Sequence, residues 1–145
     1  MTQRLLVIDD SLTVRKMVEL SFRDAGWTID FAVTGVEGTT KALETAPDIV
    51  LLDFVLPDMK AIEVCDRLAA HPRGAGLTII LMSAKAEKVR DLFASYPVVV
   101  DFVAKPFSSR EILERVSQAR AARGSTVPAA PPTPGPRAQP QPADP

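Results

Sequence analysis

The chain has 145 residues, 46% hydrophobic and 24% charged, which is enough for one cored domain and too few for two of ordinary size. A formal net charge of -1 gives no overall pull toward nucleic acid or anionic lipid, so partner surfaces are expected to be protein. The longest mostly apolar runs, Ile49 to Leu52 and Leu77 to Met82, fall far short of the roughly 20 residues that span a bilayer, the apolar stretch before Asp9 is too short for a signal-peptide core, and a lone Cys65 offers no internal disulfide; a cytoplasmic protein without membrane attachment is the expectation.

In chain order, Arg4 to Asp9 is an apolar run ending in acid and reads as a first strand. Ser11 can cap a helix reaching about Ala25, with Val14, Val18, Phe22 and Ala25 on one face and Gly26 as its stop. Thr28 to Ala32 is a second strand. A weaker helix follows from about Val36 to Thr45, because Gly38, Thr39 and Thr40 have poor helix propensity, and Pro47 closes it. Ile49 to Asp53 is apolar on both faces, as a central parallel strand buried on two sides requires. Beyond a loop containing Pro57, Ile62 to Ala70 is helical, Leu77 to Ser83 is a fourth strand, about Glu87 to Tyr96 a short helix, and Val98 to Ala104 a fifth strand. Ser108, with Glu111 three residues on, forms a capping box opening a last helix to about Arg123.

Composition changes near Gly124. Residues 124–145 hold eight of the chain's 13 prolines and one strongly apolar aliphatic residue, Val127, so they cannot build a core and read as an extended, disordered linker. The expected division is a domain over 1–123 and a proline-rich tail over 124–145. The chain reads either as a stand-alone domain or as a piece cut in a linker that leads to an effector.

Five strands alternating with five helices imply an α/β, doubly wound parallel sheet with helices on both faces. Ligands of such sheets bind beyond the carboxyl ends of the strands, near the point where strand order reverses. The residues ending the strands are Asp9 and Asp10, Asp53, Ser83 and Lys105. Taken singly, each has an ordinary explanation: Asp10 can precede a helix cap, Ser83 can cap the next helix, Lys105 can be a solvated lysine. Taken together, three carboxylates at one sheet edge repel one another and call for a cation. Carboxylates without His or Cys favour a hard ion, and a site that also meets phosphate oxygens suits Mg²⁺ better than Zn²⁺. One carboxylate, one metal, one lysine and one hydroxyl make a phosphoryl-transfer set with an aspartate as acceptor.

These residues resemble the receiver domain of two-component response regulators. The pattern comprises Asp9-Asp10-Ser11, Arg15, Gly26, the run Asp53-Phe54-Val55-Leu56-Pro57-Asp58-Met59, then Ser83-Ala84 and Lys105-Pro106-Phe107, in register over roughly Arg4 to Ala122. The resemblance implies a flavodoxin-like sheet of strand order 2-1-3-4-5, with Asp53 as the phosphoacceptor and Asp10, Asp53, the Val55 carbonyl and, through water, Asp9 holding Mg²⁺. It implies that Lys105, the Ser83 hydroxyl and the Ala84 amide bind phosphoryl oxygens, that Ser83 and Phe102 form the switch, the Phe102 ring turning inward, and that the Lys105-Pro106 bond is cis. The implied partners are a sensor histidine kinase or phosphotransfer protein and a downstream protein effector, with no direct nucleic-acid contact and with a phosphorylation-dependent dimer as one form of output. It further implies a phosphoacceptor switch, not an enzyme in the ordinary sense.

The sequence departs from the family at Ala61, where glycine is usual, and at Val98-Val99 after Pro97, where Gly-Ala is usual. Rival readings fare less well. A flavin-binding relative would place phosphate against Asp9 and Asp10, an aspartyl-phosphate hydrolase wants an acid where Val55 stands, and the arginines of the last helix alternate with Glu111 and Glu114 as on a solvated face. An interaction domain that signals without phosphorylation is the strongest rival, opposed by the intact set of five side chains.

Overall fold

The structure is a computed structural model that describes residues 3–125, with side chains to residue 122. Its elements in chain order are β1 (Gln3–Ile8), α1 (Leu12–Phe22), β2 (Trp27–Ala32), α2 (Gly35–Thr45), β3 (Ile49–Asp53), α3 (Ala61–Ala69), β4 (Ile79–Ser83), α4 (Ala86–Leu92), β5 (Val99–Ala104) and α5 (Ser109–Ser125). The strands form one parallel sheet of order β2-β1-β3-β4-β5. The expected doubly wound fold is what the chain adopts. Of the expected tail, residues 124 and 125 continue α5, and the rest lies outside the described residues.

Alternation along the strands divides the core in two. Leu5, Val7, Leu51, Ile80, Met82 and Val103 face Phe22 of α1 and Ile112 and Val116 of α5. Leu6, Ile8, Val50, Leu52 and Leu81 face Ala42, Val64, Leu68, Val89 and Phe93, from α2, α3, α4 and the segment after α4. β3 and β4 are buried along their whole length, which accounts for apolar residues at consecutive positions instead of every second one.

Several element ends differ from expectation for local reasons. α1 stops at Phe22, three residues early, because the Ala25 N–H turns back to the Phe22 carbonyl and Gly26 takes φ +83; Ala25 is exposed, not on the core face. α2 ends at Thr45 as expected, but the stop is made by Ala46, which adopts a left-handed φ of 46 and donates its N–H to the Ala42 carbonyl before Pro47 is reached. The poor propensity of Gly38 has a packing cause: a Cβ there would lie 2.5 Å from Ile8 Cδ1, so glycine lets α2 sit close on β1. α4 stops at Leu92, not Tyr96, as the chain tightens into i to i+3 turns that bring Phe93 into the core. At α5 one half of the expected capping box is present, the Glu111 N–H donating to the Ser108 hydroxyl at 3.1 Å.

Candidate functional site

Sheet order reverses at β1, which has β2 on one side and β3 on the other, and the carboxyl ends of β1 and β3 bring the acids together. Carboxylate oxygens of Asp9, Asp10 and Asp53 lie within 4.8 Å of one another. Asp9 is fully buried, Asp53 nearly so at 8% exposure, and Asp10 is exposed. The Asp9 carboxylate accepts the Ser11 N–H at 2.8 Å on Oδ1 and the Lys105 ammonium at 2.8 Å on Oδ2. Lys105 also reaches Asp53 Oδ1 at 3.2 Å, so one lysine from the end of β5 bridges the acids that follow β1 and end β3. The Lys105-Pro106 peptide is cis, as the resemblance implies.

Burial, and then the neighbouring Asp9 charge, push the Asp53 carboxyl above the ordinary aspartate value of 3.8, with Lys105 and the Val55 N–H pulling part of the way back. Burial works against the Lys105 ammonium, yet the hydrogen bond and charge of Asp9, followed by those of Asp53, outweigh it and hold its pKa above the ordinary lysine value. Three carboxylates against one ammonium leave the cluster negative, and the donor set contains oxygen only. A hard divalent cation fits such a set.

A cleft of about 500 Å³ opens beside Asp53 and is lined by Ser83, Ala84, Lys85, Lys88 and Lys105 among others. Ser83 is buried at the end of β4; its hydroxyl accepts the Lys85 N–H at 3.1 Å, and its carbonyl accepts the Lys105 N–H at 2.8 Å. Every strand-end residue singled out from the sequence therefore meets in one place. Val55 is beside it, 69% exposed, with its N–H 3.5 Å from Asp53 Oδ1.

Phe102, the expected switch residue, lies on β5 two positions before the strand's end. Its ring is already buried, 8% exposed, with the Arg90 guanidinium 4.7 Å from its centroid and Phe93 at 6.3 Å. Phe93, brought in where α4 ends, shares one apolar cluster with Phe102.

Sequence reasoning missed several contacts between elements, some of them beside the site. Phe54, next to the acceptor, meets Phe93 at 6.3 Å, and Phe93 meets Tyr96 at 5.4 Å, forming an aromatic string toward the segment before β5. The Tyr96 hydroxyl donates to Asp66 of α3 at 2.7 Å, and its acidity falls because that carboxylate holds the proton. Arg115 of α5 grips both oxygens of Asp101 at 2.7 and 2.9 Å. No periodicity marks such pairs. Asp58, quoted above only as part of a motif, binds the first turn of α2 by both oxygens, accepting the Gly35 N–H at 2.7 Å and the Val36 N–H at 3.0 Å, and the Gly35 N–H above all keeps its carboxyl below the ordinary value.

Residues 5–117 match the response regulator receiver domain family. Among curated proteins, the chain is 34% identical over 129 residues to the DNA-binding response regulator MtrA of Mycobacterium tuberculosis strain H37Rv, covering 89% of this chain and 55% of that one. It is 31% identical over 114 residues to the DNA-binding dual master transcriptional regulator RpaA of Synechocystis, covering 78% and 47%. The chain thus spans about half the length of these relatives. Among solved structures, the chemotaxis response regulator CheY4 of Vibrio cholerae superposes with a TM-score of 0.75 at 21% identity, over 82% of this chain and 99% of that one. The receiver domain of the sensor histidine kinase PA1611 of Pseudomonas aeruginosa, solved with magnesium in its active-site cleft, gives 0.74 at 21%, over 83% and 99%. These two likenesses speak for the fold. Family match and curated relatives together establish that this chain belongs to the receiver domain family of two-component response regulators.

Proposed function

We propose that this domain is a phosphorylation switch in which Asp53 accepts a phosphoryl group from a phosphohistidine of a sensor kinase or phosphotransfer protein in a Mg²⁺-dependent step. The observation that carries the reading is the gathering of Asp9, Asp10 and Asp53 within 4.8 Å, with Lys105 held 3.2 Å from the Asp53 oxygen. Asp9, Asp10, Asp53 and the Val55 carbonyl would hold the cation, which supplies neutralisation of charge between the phosphoryl oxygens and the acids.

Asp53 presents a carboxylate oxygen to phosphorus; the O–P bond forms as the donor's N–P bond breaks, and that electron pair leaves with the imidazole nitrogen, which takes up a proton. Lys105, tethered by Asp9, keeps its ammonium beside the acceptor and is ready to pair with a phosphoryl oxygen. The Ser83 hydroxyl and the Ala84 N–H, on the wall of the same cleft, take another oxygen. The Ser83 oxygen accepts the Lys85 N–H just before α4 while its own proton is the one it donates, so movement of the hydroxyl toward the phosphoryl group draws on the start of that helix. That local movement biases the packing of α4, β5 and α5, whose outer face then changes its affinity for a protein effector by population shift. The domain is consumed and reset by each phosphoryl group, which makes it an acceptor that promotes its own modification and not a turnover enzyme.

The curated relatives are DNA-binding regulators of which this chain spans about half, and the reading assigns no DNA contact to this part. On α5, Arg115 is committed to Asp101, and Arg110 lies 3.9 Å from Glu114. The test is incubation with acetyl phosphate followed by intact-mass measurement. One added phosphoryl group in Mg²⁺ and none in EDTA support the reading; an unchanged mass in Mg²⁺ with an independently competent donor defeats it in favour of a domain that signals without phosphorylation.

A further inference from the structure

Residues 54–60 leave the acceptor as a loop that an antiparallel bridge between Val55 and Lys60 folds back on itself. One end of the loop is part of the site, since the Val55 N–H approaches Asp53 Oδ1 at 3.5 Å. The tip is fastened elsewhere. Asp58 takes the Gly35 N–H on Oδ1 at 2.7 Å and the Val36 N–H on Oδ2 at 3.0 Å. These are first-turn amides of α2, which helix geometry leaves without intrahelical partners, and charge-assisted bonds to a carboxylate are among the stronger ways to satisfy them. The neighbouring Thr34 hydroxyl takes the Glu37 N–H at 3.1 Å, so cap and clamp share the turn between them. Beside the clamp, Met59 fills the space above Gly35: a Cβ on Gly35 would come within 2.4 Å of Met59 Cγ and 2.7 Å of its sulfur. Absence of a side chain on one element and two adjacent side chains on the other thus lock the loop tip onto α2. Asp58 itself is exposed, so the two hydrogen bonds, not burial, hold it against α2.

We infer that Asp58 is a positioning residue for the acidic site: by clamping the tip of the 54–60 loop to the N-terminus of α2, it fixes the backbone on which Asp53 and Val55 are presented and so sets how tightly the site takes a divalent cation. The inference rests on the reading of Asp53 as a Mg²⁺-assisted acceptor. Released from α2, the loop would have to be ordered anew each time the cation binds, and affinity would fall accordingly. Groups that orient metal ligands without touching the metal typically contribute 10–100-fold to affinity, and a clamp acting through backbone belongs at the lower end, about tenfold.

The experiment compares wild type with Asp58→Ala, Asp58→Asn and Gly35→Ala, the last pushing Met59 and the loop away from the α2 side. Three quantities are read on each: Mg²⁺ affinity by calorimetry, hydrogen exchange of the Gly35 and Val36 amides, and the Mg²⁺ concentration giving half-maximal phosphorylation by acetyl phosphate. Asp58→Ala should bind Mg²⁺ about tenfold more weakly and need about tenfold more for half-maximal rate, while its rate at saturating Mg²⁺ stays within about twofold of wild type. Asp58→Asn, which retains one acceptor oxygen, should fall between, and Gly35→Ala should shift in the same direction. Faster amide exchange with unchanged Mg²⁺ affinity would show a purely structural cap and overturn the inference. Failure of wild type to be phosphorylated while it binds Mg²⁺ would defeat the acceptor reading alone, since calorimetry would still decide the role of Asp58.

Discussion

Replacing Asp53 with asparagine should make the metal-free domain more stable, although it removes the group proposed to carry its function. Asparagine preserves shape and can still accept the Val55 N–H, so the change is chiefly one of charge. At an effective dielectric of ~20, two unit charges 4.8 Å apart interact by about 3.5 kcal/mol, and a pair 3.2 Å apart by about 5 kcal/mol. Asp53 has two carboxylates within the first distance and one ammonium at the second, so repulsion exceeds attraction before the cost of burial is counted. Asp10 is exposed and its share is screened by solvent, while desolvation of Asp53 acts in the opposite sense. A net gain on the order of 1–2 kcal/mol follows for Asp53→Asn, a rise of roughly 3–8 °C in melting temperature for a domain of this size. Thermal melts by circular dichroism at pH 7 in EDTA read it directly. Added Mg²⁺ should narrow the gap, because only wild type retains the full ligand set and gains from mass action. An Asp53→Asn variant that melts at or below wild type in EDTA, or gains as much from Mg²⁺, would refute the electrostatic account.

The same cause gives a pH signature. The folded pKa of Asp53 lies above 3.8, so the native state holds this proton more tightly than the unfolded chain; its contribution is most favourable below 3.8 and is lost as pH rises through the raised value. The stability difference between Asp53→Asn and wild type in EDTA should therefore grow as pH rises from about 4 toward neutrality, and a flat difference would contradict it. Ala46 holds a left-handed φ of 46 at the end of α2, so Ala46→Gly should stabilise the domain by roughly 0.5–1 kcal/mol in urea titration; a loss of stability would deny that strain. Val55 and Lys85 line the cleft beside Asp53, and neither side chain offers a hydrogen-bond acceptor to take a proton from an attacking water. Slow loss of the phosphoryl group is expected after donor removal, with faster decay in Val55→Asn and in Val55→Asn/Lys85→Glu; wild type decaying as fast as both would reject it.

What was legible in the sequence was whatever short-range pattern encodes. The apolar runs ending in Asp9, Asp53, Ser83 and Lys105 mark strands whose polar ends lie at one edge of the sheet once the crossovers are right-handed, which periodicity shows, while the strand order came with the family resemblance. Helix ends were less legible, because Ala25 and Tyr96 fit the helical spacing while the backbone turns earlier, after Phe22 and around Phe93. Contacts between elements were the least legible. Asp58 meets amides more than 20 residues away, and Asp101 finds Arg115 across the β5–α5 connection; in neither case does the local sequence name the partner. Phe102 was recognised as a switch candidate by position, yet its present burial depends on Phe93 and Arg90, which only the folded chain brings to it.

The central claim is that Asp53 itself carries the phosphoryl group, and chemical trapping tests it most directly. After incubation with acetyl phosphate and Mg²⁺, borohydride reduces an acyl phosphate to the alcohol of homoserine, and peptide mass spectrometry locates the converted residue. Homoserine at position 53, and at no other aspartate, is the result the account predicts. Conversion at Asp9 or Asp10, or undiminished labelling in Asp53→Asn, would contradict it.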